Sequence, residues 1–263
     1  VLNFEREVFI AMRKTLSILL SVVLVFSVMA GAEASFAKKA PAISAKVLHM
    51  KKGQSHKIKM TNAKKVKWST SSKKIATVKK GKVTAKKAGT ATITAKVGKK
   101  KYKCTVTVSN GKKKAVVIYF SATGNTKKAA VKVKKATGAD IVRIVPKKAY
   151  SKADLTYEKT CRANDEQNKN SKPAIATVIK NLKQYKVVYL GYPIWWGKEP
   201  GTIRTFMTKY SLKGKTVMPF CTSGGSGIDG SIPFIKKNAK GATIGEGMDL
   251  TDATTAEIKE WIK

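Results

Sequence analysis

The spacing of apolar positions changes twice along the 263-residue chain. Near the start, Arg13 and Lys14 precede a mainly apolar run over residues 16–29, interrupted only by serines, which gives way to Ala30-Gly31-Ala32-Glu33-Ala34. Between residues 46 and 109 the rhythm is period two. Ile58-Lys59-Met60, Val66-Lys67-Trp68, Ala91-Thr92-Ile93-Thr94-Ala95-Lys96-Val97 and Tyr102-Lys103-Cys104-Thr105-Val106-Thr107-Val108 each put apolar groups on one face, which predicts half-buried strands. Gly53, Gly81, Gly89 and Gly98 punctuate them, so a small antiparallel sandwich is expected, with Trp68 and Cys104 in its core.

From Lys113 the alternation stops. Ala115-Val116-Val117-Ile118-Tyr119-Phe120 is apolar throughout, as a strand buried on both faces of a parallel sheet requires. Further strands are predicted at 141–145, 187–191, 216–220 and, weakly, 242–244. Helices are predicted at 125–136, 173–182, 202–210, 232–238 and 253–262, with Pro173 suited to a first turn. Five strands alternating with helices make a doubly wound α/β sheet, whose ligands bind beyond the strand C-termini near the switch point. The predicted organisation is a leader over 1–37, a β domain over 40–110 and an α/β domain over 113–263.

Charge sharpens this division. The formal net charge is +39, and between Lys38 and Ala139 there are 30 lysines and no acidic residue. From Asp140 onward, 21 Lys plus Arg stand against 12 acidic residues. Such a field suits a solvated basic face, attraction to an anionic cell wall or surface, or nucleic acid. The scarcity of arginine and of interleaved aromatics argues against the last. The order of basic, apolar and small residues at the start is that of a secretory signal, cut after Ala34 or near Ala37, with an uncleaved anchor as the alternative. A secreted or cell-surface protein is expected. Three scattered cysteines make no disulfide framework, and two histidines, His49 and His56, leave little for a zinc site or a His-dependent triad. Neither a metal ligand set nor a catalytic residue is assigned.

Three blocks follow predicted strands. Ser121-Ala122-Thr123-Gly124-Asn125-Thr126 has small residues for a tight turn, hydroxyls on Ser121, Thr123 and Thr126 to donate to phosphate, and amides at a helix start. It is neither a Walker A loop nor a dinucleotide fingerprint. Gly191-Tyr192-Pro193-Ile194-Trp195-Trp196-Gly197 offers adjacent tryptophans, one to anchor the loop and one to wall a flat ligand, with their order left open. Phe220-Cys221-Thr222-Ser223-Gly224-Gly225-Ser226-Gly227 allows close backbone approach to a planar ring. Arg162, in the polar stretch 161–167, is a candidate phosphate contact or a surface residue.

These blocks resemble those of compact flavodoxin-like proteins. The stretch from Val66-Lys67-Trp68-Ser69-Thr70-Ser71-Ser72 through Ala88-Gly89-Thr90-Ala91-Thr92-Ile93-Thr94-Ala95 resembles the group 2 bacterial immunoglobulin-like domain. The first resemblance implies a five-stranded sheet of order 2-1-3-4-5 and FMN as cofactor. Its phosphate would lie on Ser121, Thr123, Gly124, Asn125 and Thr126, and its ring against Tyr192, Pro193, Trp195, Trp196 and Gly197. The ring's polar edge would meet Cys221, Thr222, Ser223, Gly224, Gly225 and Gly227. The implied function is an exported flavodoxin-like electron-transfer protein with an unidentified redox partner. The alternatives are an NAD(P)H-dependent flavin or quinone oxidoreductase, and a wall-associated binding protein whose flavodoxin fold has lost catalysis.

Overall fold

A computed structural model describes residues 39–263; the secretory segment expected over 1–37 lies outside the described residues. The N-terminal part is a β-sandwich. Its larger sheet is built on β2 (Val47–Lys51), β5 (Lys67–Thr70), β8 (Gly89–Val97) and β9 (Lys100–Ser109). A three-stranded sheet of β3 (Ser55–Lys57), β6 (Ala76–Lys79) and β7 (Lys82–Ala85) faces it, and β1 (Ala42–Ile43) pairs with β4 (Met60–Thr61). Leu48, Met50, Ile58, Val83, Ile93, Cys104 and Val106 fill the space between them. Trp68 is half-buried against this core, its ring lying over Gly81. The expected purely antiparallel pairing is corrected: β2 runs parallel to β9, because the chain crosses from one sheet to the other before returning.

The second part places β10 (Ala115–Phe120) between β11 (Asp140–Ile144) and β13 (Val187–Pro193), with β14 (Thr216–Thr222) beyond β13. The fifth position is shared by β15 (Thr243–Ile244) and β16 (Met248–Asp249), both parallel to β14. The order is therefore 2-1-3-4-5, all parallel. Helices α1 (Asn125–Thr137), α2 (Arg162–Asn168), α3 (Gly201–Lys209), α4 (Ile232–Asn238) and α5 (Thr255–Trp261) cover the sheet. One core, with Ile118, Phe120, Leu190, Phe206 and Trp195, lies on one face; another, with Val117, Tyr119, Val133 and Phe220, lies on the other. Gly191 is required where β13 passes β14: a Cβ there would stand 2.1 Å from the Phe220 ring.

The segment 173–182 departs from expectation. It is not a helix but β12 (Thr177–Ile179) followed by a 3-10 turn at Leu182–Gln184. The β-branched run Thr177-Val178-Ile179 pairs in parallel with β2, extending the sandwich sheet to the order β12-β2-β9-β8-β5. Side chains cross accordingly. Val178 packs into the sandwich core, while Val47 of β2 packs against the α/β core. Sheet alternation has overridden helix propensity because a ready edge strand supplies hydrogen-bond partners that an isolated short helix lacks. Conversely, the polar stretch 161–167 forms α2, capped at Cys161, whose Sγ accepts from the Asn164 amide at 3.4 Å.

Candidate cofactor site at the strand C-termini

The strands β10, β13 and β14 end on one rim of the sheet, where a cavity of about 250 Å3 opens. The first loop enters it from β10. Gly124 takes φ 115, a left-handed conformation open to glycine, and starts α1 without any side-chain cap or acidic residue in the first turn. The Ser121 hydroxyl accepts from the Gly124 amide at 3.1 Å and is itself buried, so Ser121 shapes the loop and does not line the cavity. Thr123, Asn125 and Thr126 do line it. The Thr126 and Thr222 hydroxyls are 2.8 Å apart, tying the first loop to the end of β14. Uncapped amides, hydroxyls and the positive end of a 13-residue helix form a donor set for an anionic group.

The second loop separates its two tryptophans. Trp195 is buried, edge-on to Phe120 at 5.6 Å and to Tyr150 at 5.1 Å. Its carbonyl accepts from Gln167 Nε2 at 2.9 Å. Behind it, Arg204 and Glu199 form a buried ion pair at 2.8 Å, and the Arg204 guanidinium also donates to Gln167. Burial pushes the Glu199 carboxyl upward, while Arg204 opposes the shift. Trp196 is only half-buried and holds φ 47, a left-handed conformation that costs a bulky residue about 1–2 kcal/mol. Its ring lies 5.2 Å from that of Tyr157. Both tryptophans and Pro193 line the cavity. Tyr192 does not: it is fully buried, with its hydroxyl 2.9 Å from Ser231. Strand alternation sends it away from the neighbouring Pro193 and into the core. Gly197, at φ 73, serves the turn, and Gly230 packs so closely on its carbonyl that a Cβ there would stand 2.3 Å away.

The third loop is organised by Ser223. Its hydroxyl donates to Asp249 Oδ2 at 2.5 Å and accepts from the Gly225 and Gly227 amides at 3.2 and 3.1 Å. Those two amides are thereby engaged within the loop. Burial pushes the Asp249 carboxyl up, but hydrogen bonds from Ser223 and Thr251 outweigh it and leave the group below its ordinary value. Thr222, Ser223 and Gly224 line the cavity, and Gly225 lines an adjoining cleft with Asp249 and Glu257. Cys221 is buried beside Asp249, its thiol pushed well up by burial, so it faces the sheet interior. Arg162 is folded back on Glu166 at 2.7 Å and over the Tyr150 ring at 4.2 Å, away from the cavity. The cavity walls also include Leu155, Tyr157, Ala163 and Thr251, which sequence reasoning did not single out. Tyr157, 74% exposed in a polar insertion, is the one whose residue type carried a signal.

A parallel sheet ordered 2-1-3-4-5, with a hydroxyl-rich loop after its first strand and a cavity at the switch point, defines a doubly wound domain of the flavodoxin type. The chain belongs to the flavodoxin family, whose profile matches residues 114–263; that of the bacterial Ig-like domain (group 2) matches residues 42–108. Among solved structures, a protein assigned as a flavoprotein from Bacteroides eggerthii DSM 20697 is 43% identical, covers 57% of this chain and 95% of its own, and superposes with a TM-score of 0.55. A second, from Bacteroides uniformis ATCC 8492, is 38% identical over 57% of this chain and 97% of its own, with a TM-score of 0.54. A flavoprotein from Lactobacillus acidophilus NCFM in complex with FMN is 23% identical over 57% of this chain and 99% of its own, with a TM-score of 0.45. No curated protein matches the chain.

Proposed function

We propose that the α/β domain binds FMN and passes electrons through it, in a protein carried outside the cytoplasm. The observation that carries this reading is the cavity itself: an uncapped helix start with three hydroxyl- or amide-bearing side chains at one side, and a half-buried indole at the other. A phosphate and a flat aromatic ring on one ligand match these two halves. The relatives assigned as flavoproteins support the same choice. Thr123, Asn125, Thr126 and the amides at the start of α1 would hold the phosphate. Trp196 and Pro193 would flank the ring, and Gly224 would admit its edge closely. Leu155 and Tyr157 would exclude water from it. Bound FMN would supply reversible one- and two-electron chemistry. The chain's own part is to set ring polarity through Ser223, Thr222 and the nearby Asp249 carboxylate. Export is supported by the leader-like residues 13–34 and by the Ig-like domain, a type often found in extracellular or surface proteins.

Anaerobic addition of FMN to purified protein tests the proposal. Saturable quenching of flavin fluorescence at micromolar protein is expected, and its absence refutes flavin binding. Addition of NADH or NADPH then separates carrier from oxidoreductase. A carrier stays oxidised without an added reductase, whereas direct bleaching by either donor refutes the carrier reading.

A further inference from the structure

The Ig-like domain carries twenty lysines over residues 42–108 and neither an acidic residue nor an arginine. The strand register gathers several of them into rows. On the larger sheet Lys67 stands opposite Lys96, and Lys96 opposite Lys101. On the smaller sheet Lys57 stands opposite Lys82, and Lys82 opposite Lys79. All six side chains are exposed. Like charges directly opposed across strands destabilise a sheet, and here four such contacts have no acidic neighbour to offset them. Among the described residues every ion pair lies at or beyond Lys113. The Lys57 ammonium donates to the Lys80 carbonyl, which fixes its direction without cancelling its charge.

The rows share one end of the sandwich, one on the outer face of each sheet. Lys67 precedes Trp68 and Lys82 follows Gly81, and the Trp68 ring lies against Gly81. The pair Lys96 and Lys101 sits one step from the β8–β9 hairpin, whereas the opposite end of β9, at Ser109, leads into the α/β domain. The basic end is thus far along the sheet from the linker that leads toward the cofactor cavity. Adjacent strands are about 4.8 Å apart, so each row sets three ammonium groups over roughly 10 Å. Lysine meets phosphate as a point charge, without the planar fork that reads bases or carboxylates. The domain's aromatic residues Trp68 and Tyr102 pack toward its core, leaving no stacking platform of the kind single-stranded nucleic acid uses.

From this we infer that a linear phosphate-backboned polymer of the bacterial envelope wraps this end of the sandwich, held by one lysine row on the outer face of each sheet. Bound polymer supplies the counter-charge the domain itself lacks and holds the redox domain at the cell surface with its cavity clear.

The test uses the full chain and poly(glycerol phosphate) as probe, with duplex DNA at equal phosphate concentration as comparator. Binding that weakens linearly in log–log form with added salt is expected. Replacing Lys57, Lys67, Lys79, Lys82, Lys96 and Lys101 by glutamine should reduce affinity about tenfold or more and flatten the salt slope, as lost phosphate contacts require. It should leave thermal stability equal or higher, because the opposed charges are gone. A control variant carrying six glutamines at Lys172, Lys213, Lys236, Lys237, Lys240 and Lys259 has the same net charge. If it loses as much affinity, the effect is bulk charge and the surface assignment fails. Tighter binding of DNA than of poly(glycerol phosphate), or no binding of the polymer at low salt, overturns the proposal equally.

Discussion

Acidification should loosen the junction between the two domains through one residue, His49. It lies on β2, fully buried, on the sheet face turned toward β11 and the 3-10 turn after β12. Tyr185 donates its hydroxyl proton to Asp140 Oδ2 at 2.7 Å, so the bond of 2.7 Å between Tyr185 and His49 Nε2 must be donated by the imidazole. Asn181 donates to the same hydroxyl at 3.4 Å. His49 Nδ1 then bears a lone pair and has no hydrogen-bond partner. Burial pulls the His49 pKa from 6.5 to about 4, only partly countered by the Asp140 carboxylate. Lys113, 3.6 Å from Asp140, and Lys46 and Arg143, which line the adjoining cavity with His49, oppose a further positive charge there.

The sign follows from proton binding. Above about pH 6.5 His49 is neutral in both folded and unfolded chains and contributes no pH dependence. Between 6.5 and about 4 the unfolded chain takes up a proton that the folded chain refuses, so stability falls as pH falls. With those two values the loss from pH 7 to pH 5 is about 2 kcal/mol. Urea denaturation at both values should show it, and His49→Gln, which keeps a donor toward Tyr185, should remove that increment. His56, also lowered, by burial and by Lys180 and Lys209, remains as a common background in both proteins. With only two histidines, ring proton signals report each site by nuclear magnetic resonance. A His49 signal titrating near 6.5, or an unchanged pH slope in His49→Gln, would refute the reasoning.

The tryptophan loop gives two contrasts. Trp195→Ala should cost roughly 3–5 kcal/mol of stability, since it empties a buried site against Phe120 and Tyr150, whereas Trp196→Ala should barely move the denaturation midpoint yet weaken flavin binding at least several-fold. Arg204→Met should cost about 3–5 kcal/mol by stranding buried Glu199, and adding Glu199→Met should restore much of it; a double variant as unstable as the single one would show that the ion pair is not what holds this loop.

How much was legible depends on how local the signal was. The strand β10 and its loop were readable because a fully apolar run, a glycine and hydroxyls occur in unbroken order, and each of these acts within a few residues. The doubly wound sheet followed from the alternation of apolar strands and helices, whereas its order 2-1-3-4-5 came only from the resemblance to flavodoxin-like proteins. Tyr192 and Cys221 could be named only as members of conspicuous blocks, because a sequence block does not say which alternate residue of a strand points inward. The 173–182 segment was misread for a different reason. Its fate is decided by β2, more than a hundred residues away, and no window of sequence contains that partner. Leu155, Tyr157 and Thr251 reach the cavity through the same kind of long-range closure.

That long-range strand also changes what the Ig-like domain is to its neighbour. A spacer joined only by the linker after Ser109 would leave the α/β domain's edge untouched. Here β12 belongs by sequence to the flavodoxin-family region and by hydrogen bonding to the sandwich. The Lys46 ammonium reaches the Lys147 carbonyl at 3.0 Å, and the Lys46 amide donates to the Ala176 carbonyl at 2.8 Å. Arg143 of β11 completes the line. It shares the seam cavity with His49 and Thr105, while its guanidinium donates at 3.0 Å to the carbonyl of Ser121, the first residue of the phosphate-type loop. The sandwich thereby reaches the strand that carries Arg143, an exposed residue whose bond to the Ser121 carbonyl links this seam to the entry of the loop.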